Sequence, residues 1–209
     1  MILLILANNG KCNLIIIEKP TKTGIGLCRY RFFNSEKMKK LIVLVALSIS
    51  ILGFAQTKDD RAYLVKVGDM APNFSIKLTN GKTVKLSDLK GKVVMLQFTA
   101  SWCSVCRKEM PFIERDIWQK HKSNPNFILM AVDRDEPLET VRNFAKSIPI
   151  TYKTGLDPKA DIFALYAVRE AGITRNVIID KTGKIVFLTR LYDEAEFKKM
   201  TEELDKLLK

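Results

Sequence analysis

Cys103 and Cys106 stand three residues apart, where the apolar run Val93-Val-Met-Leu-Gln-Phe98 gives way to a helical pattern. The spacing lets one sulfur attack a partner's disulfide while the other stays within reach to resolve the mixed disulfide. A cysteine at the start of the helix would have its thiolate favoured by free backbone N–H groups and by the helix dipole. The pair therefore asks for a strand that ends where a helix begins. Half a zinc site is the competing reading, but a structural zinc takes about four Cys or His ligands. Downstream of residue 57 the chain offers only these two cysteines and His121, while Cys12 and Cys28 show no ligand spacing. A permanent staple is a second alternative, and closing so short a loop removes little entropy from the unfolded chain. The pair suits a bond that is opened and closed.

The first 55 residues read as processing text. Met38-Lys-Lys is followed by Leu41 to Leu52, then Gly53 and Ala55, which supplies the charged start, apolar run and small residues of a secretory signal, with cleavage after Ala55. The run is short for a membrane span of about 20 residues. Retention as an N-terminal membrane anchor is the alternative. Residues 1–37 then read as an upstream extension from a mis-assigned start, 38–55 as the signal, 56–66 as linker and 67–209 as one domain. Eight basic and two acidic residues precede Gln56, so the formal charge falls from +12 for the whole chain to +6 beyond it. The remaining positive charges form no Arg or Lys block, which excludes a nucleic-acid partner as the reading of charge.

Hydrophobic periodicity gives a mixed α/β architecture. Phe74 to Leu78 and Lys82 to Leu86 flank Asn80-Gly81, predicting an N-terminal β-hairpin. Val93 to Phe98 and Phe127 to Val132 read as buried strands. Met110, Ile113 and Ile117 mark the helix after the cysteines, with a kink predicted at Pro111. Asp135-Glu136-Pro137 predicts a helix to Ser147 with the acidic residues in its first turn. Tyr152-Lys153 reads as an edge strand and Lys159 to Ala167 as a brief helix. Asn176 to Asp180 and Ile185 to Leu188 pair as a hairpin, and a last helix runs from Glu194 to Leu208 behind Asp193 as cap. The sum is a mixed central sheet with helices on both faces.

Gly68-Asp-Met-Ala-Pro-Asn-Phe74, Leu86-Ser-Asp-Leu-Lys-Gly-Lys92, Phe98-Thr-Ala-Ser-Trp-Cys-Ser-Val-Cys-Arg-Lys-Glu-Met-Pro111 and Val177 to Ile185 together resemble the TlpA/ResA-like branch of thioredoxin-fold proteins. The resemblance implies a thioredoxin-like fold with a central helix-bearing insertion near Leu138 to Ala167. It implies an exported, periplasmic thiol–disulfide oxidoreductase, with Cys103 attacking and Cys106 as the buried resolving thiol. Its partners would be exported client proteins, met through transient mixed disulfides, and a membrane thiol electron donor; no cofactor and no metal ligand is assigned. Glu109, three residues past the second cysteine, matches the family's glutamate, a proton donor and acceptor whose pKa burial can raise. A solvated carboxylate paired with Arg107 or Lys108 is the plainer reading of Glu109.

Two positions depart from the thioredoxin pattern. Gln97 stands where thioredoxin carries a buried aspartate, so acid–base assistance falls on Glu109. Thr174 stands where the fold usually has a cis-proline facing the sulfurs, and a non-prolyl cis bond costs about 2.5 to 4 kcal/mol, so a trans peptide is the expectation. Thr174 and Arg175 then form the substrate loop beside Trp102, read either as an exposed aromatic platform for a partner or as ordinary packing over the helix start. With that loop altered, a metal, an iron–sulfur cluster shared between two chains, or partner binding alone is the alternative function. Direct peroxidase chemistry lacks its Pro-x-x-x-Thr-x-x-Cys arrangement around Cys103. His121 reads as a solvated cation in a basic helix end.

Overall fold

A computed structural model describes residues 61–209 and, by backbone, residues 2–8 and 11–17; residues 18–37 of the expected extension and the whole expected signal segment 38–55 lie outside the described residues. The two described parts belong to separate units, Met1–Gln56 and Thr57–Lys209. In the first, β1 (Ile2–Asn8) and β2 (Lys11–Ile17) pair antiparallel, with Ile2 opposite Ile17.

The second unit is built on the strand that runs into the cysteines. All seven residues of β5 (Val93–Thr99) are buried, because both faces of this strand are covered. It pairs parallel with β6 (Phe127–Arg134) and antiparallel with β8 (Arg175–Ile179). With β3 (Ser75–Leu78), β4 (Thr83–Lys85), β7 (Lys153–Asp157) and β9 (Ile185–Arg190), the sheet has the order β4-β3-β7-β6-β5-β8-β9. The hairpin β3–β4 turns at Gly81, whose φ of 87° lies in the left-handed region that favours glycine.

Alternation along β5 divides the core. Val94, Leu96 and Phe98 pack with Tyr63, Phe74, Phe163 and Tyr166 on one face, the last two from the short α3 (Phe163–Tyr166). Val93 and Met95 meet Met110, Ile113 and Ile117 of α1 (Ser104–Phe112 and the turns that continue it), Phe144 of α2 (Leu138–Ser147), and Phe197, Met200 and Leu204 of α4 (Glu194–Leu207) on the other. Each large apolar side chain buried here contributes about 1.5–3 kcal/mol. Asp193 caps α4 by accepting the Glu196 N–H at 2.8 Å.

The kink expected at Pro111 takes a definite form. Proline has no N–H to offer the Arg107 carbonyl, and α1 widens into a π-helical turn over Ile113–Trp118 before a last turn at Gln119–His121. Other expectations need correcting. β7 is an interior strand, since β3 covers its outer side. Asp135 and Glu136 precede α2, with Pro137 at its N-cap; Asp135 takes a φ of 63° and Glu136 turns inward. His121 is half-buried, bonded to Asp205 at 2.8 Å and set edge-on to Phe127. Within the stretch read as linker, Tyr63 is buried and bridges Ala167.

Candidate active site

Cys103 is the N-cap of α1, and Cys106 lies in its first turn. They are joined as a disulfide with Cα atoms 5.3 Å apart, and the Cys106 N–H points at the Cys103 sulfur from 3.1 Å. That N–H is one of the donors a helix leaves free at its start, so a thiolate on Cys103 inherits it. Cys103 is 7% exposed and Cys106 is wholly buried. A client can reach only the first sulfur, whereas the second can be reached only from within the turn.

The loop facing the disulfide is held by Thr174. Its Oγ1 lies 3.3 Å from each sulfur, and no described peptide bond is cis, Ile173–Thr174 included. The Thr174 carbonyl accepts the Leu191 N–H at 3.0 Å, which ties the loop to the end of β9. Arg175, expected beside it in the substrate loop, has its side chain on the other face of the sheet. It is wholly buried, with its guanidinium 4.3 Å from the Tyr63 ring centre and donating to the carbonyls of Gly172 and Arg61. It braces the loop from beneath and presents nothing to a client. Trp102 is 58% exposed next to Cys103.

Glu109 is not the solvated carboxylate of the plainer reading. It is buried against the sheet, where its Oε1 accepts the Asn176 amide N–H at 2.7 Å. Asn176 is fixed in turn by Thr189 Oγ1 at 2.9 Å. Loss of solvation pushes the Glu109 carboxyl up to about 7, against the opposing pull of the Asn176 and Gln97 amides. Oε2 accepts no hydrogen bond at close range, the Gln97 amide acting on the carboxyl from farther off, so this oxygen can hold a proton. Gln97 is wholly buried, and its Oε1 accepts the Tyr152 hydroxyl at 2.7 Å. The position that lacks an ionisable group thus serves to wall in the one that has it.

Sequence reasoning missed the grip on Ser101, two residues before Cys103. Its N–H and hydroxyl both go to Glu136, at 2.6 and 2.5 Å, and its carbonyl accepts Arg107 Nε at 2.7 Å. It also missed Asn176 and Asp133. The available signal was a polar residue within or ending an apolar run, which a buried strand tolerates only with a partner. Among the described residues no group of three His, Cys, Asp or Glu side chains is placed to hold a metal ion.

The profile of the Redoxin family matches residues 66–208, which contain both cysteines, Glu109, Thr174 and Asn176. The chain belongs to the Redoxin family. The thiol–disulfide oxidoreductase ResA of Bacillus cereus is 31% identical over 172 residues, covering 81% of this chain and 93% of that protein. Among solved structures, a candidate protein disulfide isomerase from Bacteroides thetaiotaomicron is 65% identical with a TM-score of 0.69, covering 70% of this chain and 92% of that one. The thioredoxin domain of a thiol–disulfide oxidoreductase from Bacteroides vulgatus shares the fold at 23% identity, with a TM-score of 0.59 over 69% of this chain and 99% of that one. This member of the Redoxin family has a thioredoxin-like α/β fold and is a thiol–disulfide oxidoreductase with a CxxC pair.

Proposed function

We propose that the chain is exported and reduces or isomerises disulfides of other exported proteins in the periplasm. In the reduced protein, the Cys103 thiolate attacks a client disulfide; one client sulfur leaves as a thiolate and takes up a proton, and the other is bonded to Cys103. The Cys106 thiolate then attacks the Cys103 sulfur, releasing the second client thiol and closing the Cys103–Cys106 disulfide. Two electrons have passed to the client, and a membrane dithiol returns them. Glu109 takes the proton from Cys106 as it becomes nucleophilic and gives it back on reduction. Trp102 and the Thr174 loop receive the client.

The observation that carries this reading is the difference in access: Cys103, at a helix start, keeps 7% exposure, and Cys106 is wholly buried one helical turn from a buried carboxyl held at about 7. Export rests on the signal pattern at Met38 to Ala55. Among the described residues no helix is long and apolar enough to cross a membrane.

Cys106→Ala supplies the test, because it leaves the first step intact and removes the second. Expressed with its native leader, this variant should accumulate mixed disulfides with periplasmic proteins, released by dithiothreitol. The wild-type couple, titrated against dithiothreitol or glutathione, should lie near or below about −250 mV; a value near −120 mV would mark an oxidant instead. Absence of trapped proteins would overturn the client reading.

A further inference from the structure

Asp133 ends β6 directly beside Thr99, its partner in the parallel register with β5. The side chain is wholly buried, and neither carboxyl oxygen accepts a hydrogen bond. An ionised carboxylate left so would cost several kcal/mol. Thr99 gives no relief, since its hydroxyl is turned to the Met110 sulfur at 3.6 Å. Glu136, itself buried, is the group that faces Asp133, and both of its oxygens are engaged by Ser101.

The surrounding charges do not neutralise the two carboxyls. Asp135, on the same loop, is exposed and paired with Arg134 at 3.0 Å, and it adds a third negative charge. Arg134 lies over the Phe163 ring at 4.2 Å on the opposite face of the sheet. From α1 comes Arg107, exposed, bonded to the Ser101 carbonyl and set 4.9 Å from the Phe144 ring centre. The buried residues of α2 are Val141 and Phe144, neither of which carries charge. On the β7 side the register partner of Asp133 is Leu156. Among the described residues neither Asp133 nor Glu136 is in an ion pair. Two adjoining carboxylates without a cation cannot both stay ionised, and the lower-energy state keeps one proton between them.

We propose that Asp133 and Glu136 share one proton and act together as the positioning element of the redox turn, holding Ser101 and so fixing the approach of Trp102 and Cys103 to the client. With the proton in place, the pair carries one negative charge, Asp133 donates to Glu136, and Glu136 keeps both bonds to Ser101. When the proton leaves, the two charges repel in a buried setting, Glu136 gives up its hold, and Ser101 keeps the bond from its carbonyl to Arg107 as its side-chain tie. Burial, then the Glu136 charge, then Asp135, push Asp133 up to about 8, so this release falls within reach of ordinary solution conditions. The pair is separate from Glu109, which is bonded to Asn176 of β8 rather than to any group of this loop.

Carboxyl carbon and amide shifts, followed by NMR from pH 4 to pH 10, test this on the oxidised chain, in which neither thiol titrates. The Asp133 carboxyl should titrate well above the ordinary carboxylate range, and the Ser101 amide should shift with the same midpoint. In Asp133→Asn the Ser101 amide should lose that step. In Glu136→Gln the Asp133 midpoint should fall by a unit or more, and the Ser101 step should again be absent. In Glu109→Gln it should persist. The rate of disulfide reduction by dithiothreitol, corrected for the reagent's thiolate fraction, should change several-fold across the Asp133 midpoint in wild type, whereas Asp133→Asn should keep only the Glu109 inflection near pH 7. Titration of Asp133 in the ordinary range, or a Ser101 step that survives Asp133→Asn, overturns the proposal. No client or electron donor enters the NMR measurement, so its failure leaves the reductase reading standing, and a failure to trap clients leaves the shared proton standing.

Discussion

Glu109 shows how a single side chain acquires a property its sequence position does not state. Its spacing from Cys106 is that of many helix carboxylates, yet burial and the Asn176 amide determine what it does. A carboxyl held at about 7 is close to half-protonated at neutral pH, the condition under which a group can both accept and return a proton. Glu109→Gln keeps the shape and removes that capacity. The variant should slow thiol–disulfide exchange by roughly a hundredfold at neutral pH, the lower end of what general acid–base catalysis contributes. It should also abolish the inflection near pH 7 in the rate profile. A stopped-flow series against a disulfide-bonded peptide from pH 5 to 9 reads both effects, and an unchanged inflection would remove Glu109 from the mechanism. The Asn176 amide is the second handle: Asn176→Ala should raise the Glu109 midpoint further, because the amide favours the ionised form.

At the scale of elements, β7 carries the clearest constraint. A Cβ on Gly155 would stand 2.4 Å from Ile76 Cδ1 and 2.6 Å from Ile76 Cγ1, because β3 lies directly against this strand and Ile76 is buried. Gly155→Ala should therefore destabilise the domain by about 1–3 kcal/mol through overpacking. Ile76→Val in the same chain should recover part of the loss, which chemical denaturation of the single and double variants would show. This contact also explains what was and was not legible in the sequence. Hairpin, central strands and final helix were readable because each carries its signal locally: Asn80-Gly81, the apolar run of β5, Asp193 before a helical period. The interior place of β7 was not, since a five-residue strand with Gly155 in it gains its neighbours only when the distant β3 arrives. The same limit applies to the site. The two cysteines could be read from spacing, whereas Asn176, Asp133 and the inward turn of Glu136 depend on which strand ends the sheet places side by side. Arg175 was misplaced because alternation along β8 puts Thr174 and Asn176 on one face and Arg175 on the other, and only the pairing with β5 and β9 fixes which face meets the sulfurs.

For the whole molecule, these buried carboxyls set how stability depends on pH. Glu109 moves from an ordinary value of 4.5 to about 7, and Asp133 from 3.8 to about 8, both mainly through burial. Between those limits the folded chain binds protons that the unfolded chain has released, so stability falls as pH rises, at up to about 1.4 kcal/mol per pH unit for each proton retained. The contribution of each group is fully present below its unfolded value and is lost as pH passes through 7 for Glu109 and 8 for Asp133. Asp205, beside Lys120 and His121, and Asp180, within its turn, are shifted down instead. Their contributions are present above the ordinary aspartate range and are lost in more acidic solution. The two tendencies place maximum stability of the oxidised domain in mildly acid solution, near pH 5, and make it weaken steadily toward pH 8. Urea denaturation of the oxidised protein at intervals between pH 4 and 9 measures this directly. The denaturation midpoint of wild type should decline over that range, and the double variant Glu109→Gln, Asp133→Asn should follow a much flatter line. A wild-type midpoint that rises from pH 5 to pH 8 would mean that neither carboxyl keeps its proton on folding, and both the acid–base role of Glu109 and the shared proton at Asp133 would lose their physical basis.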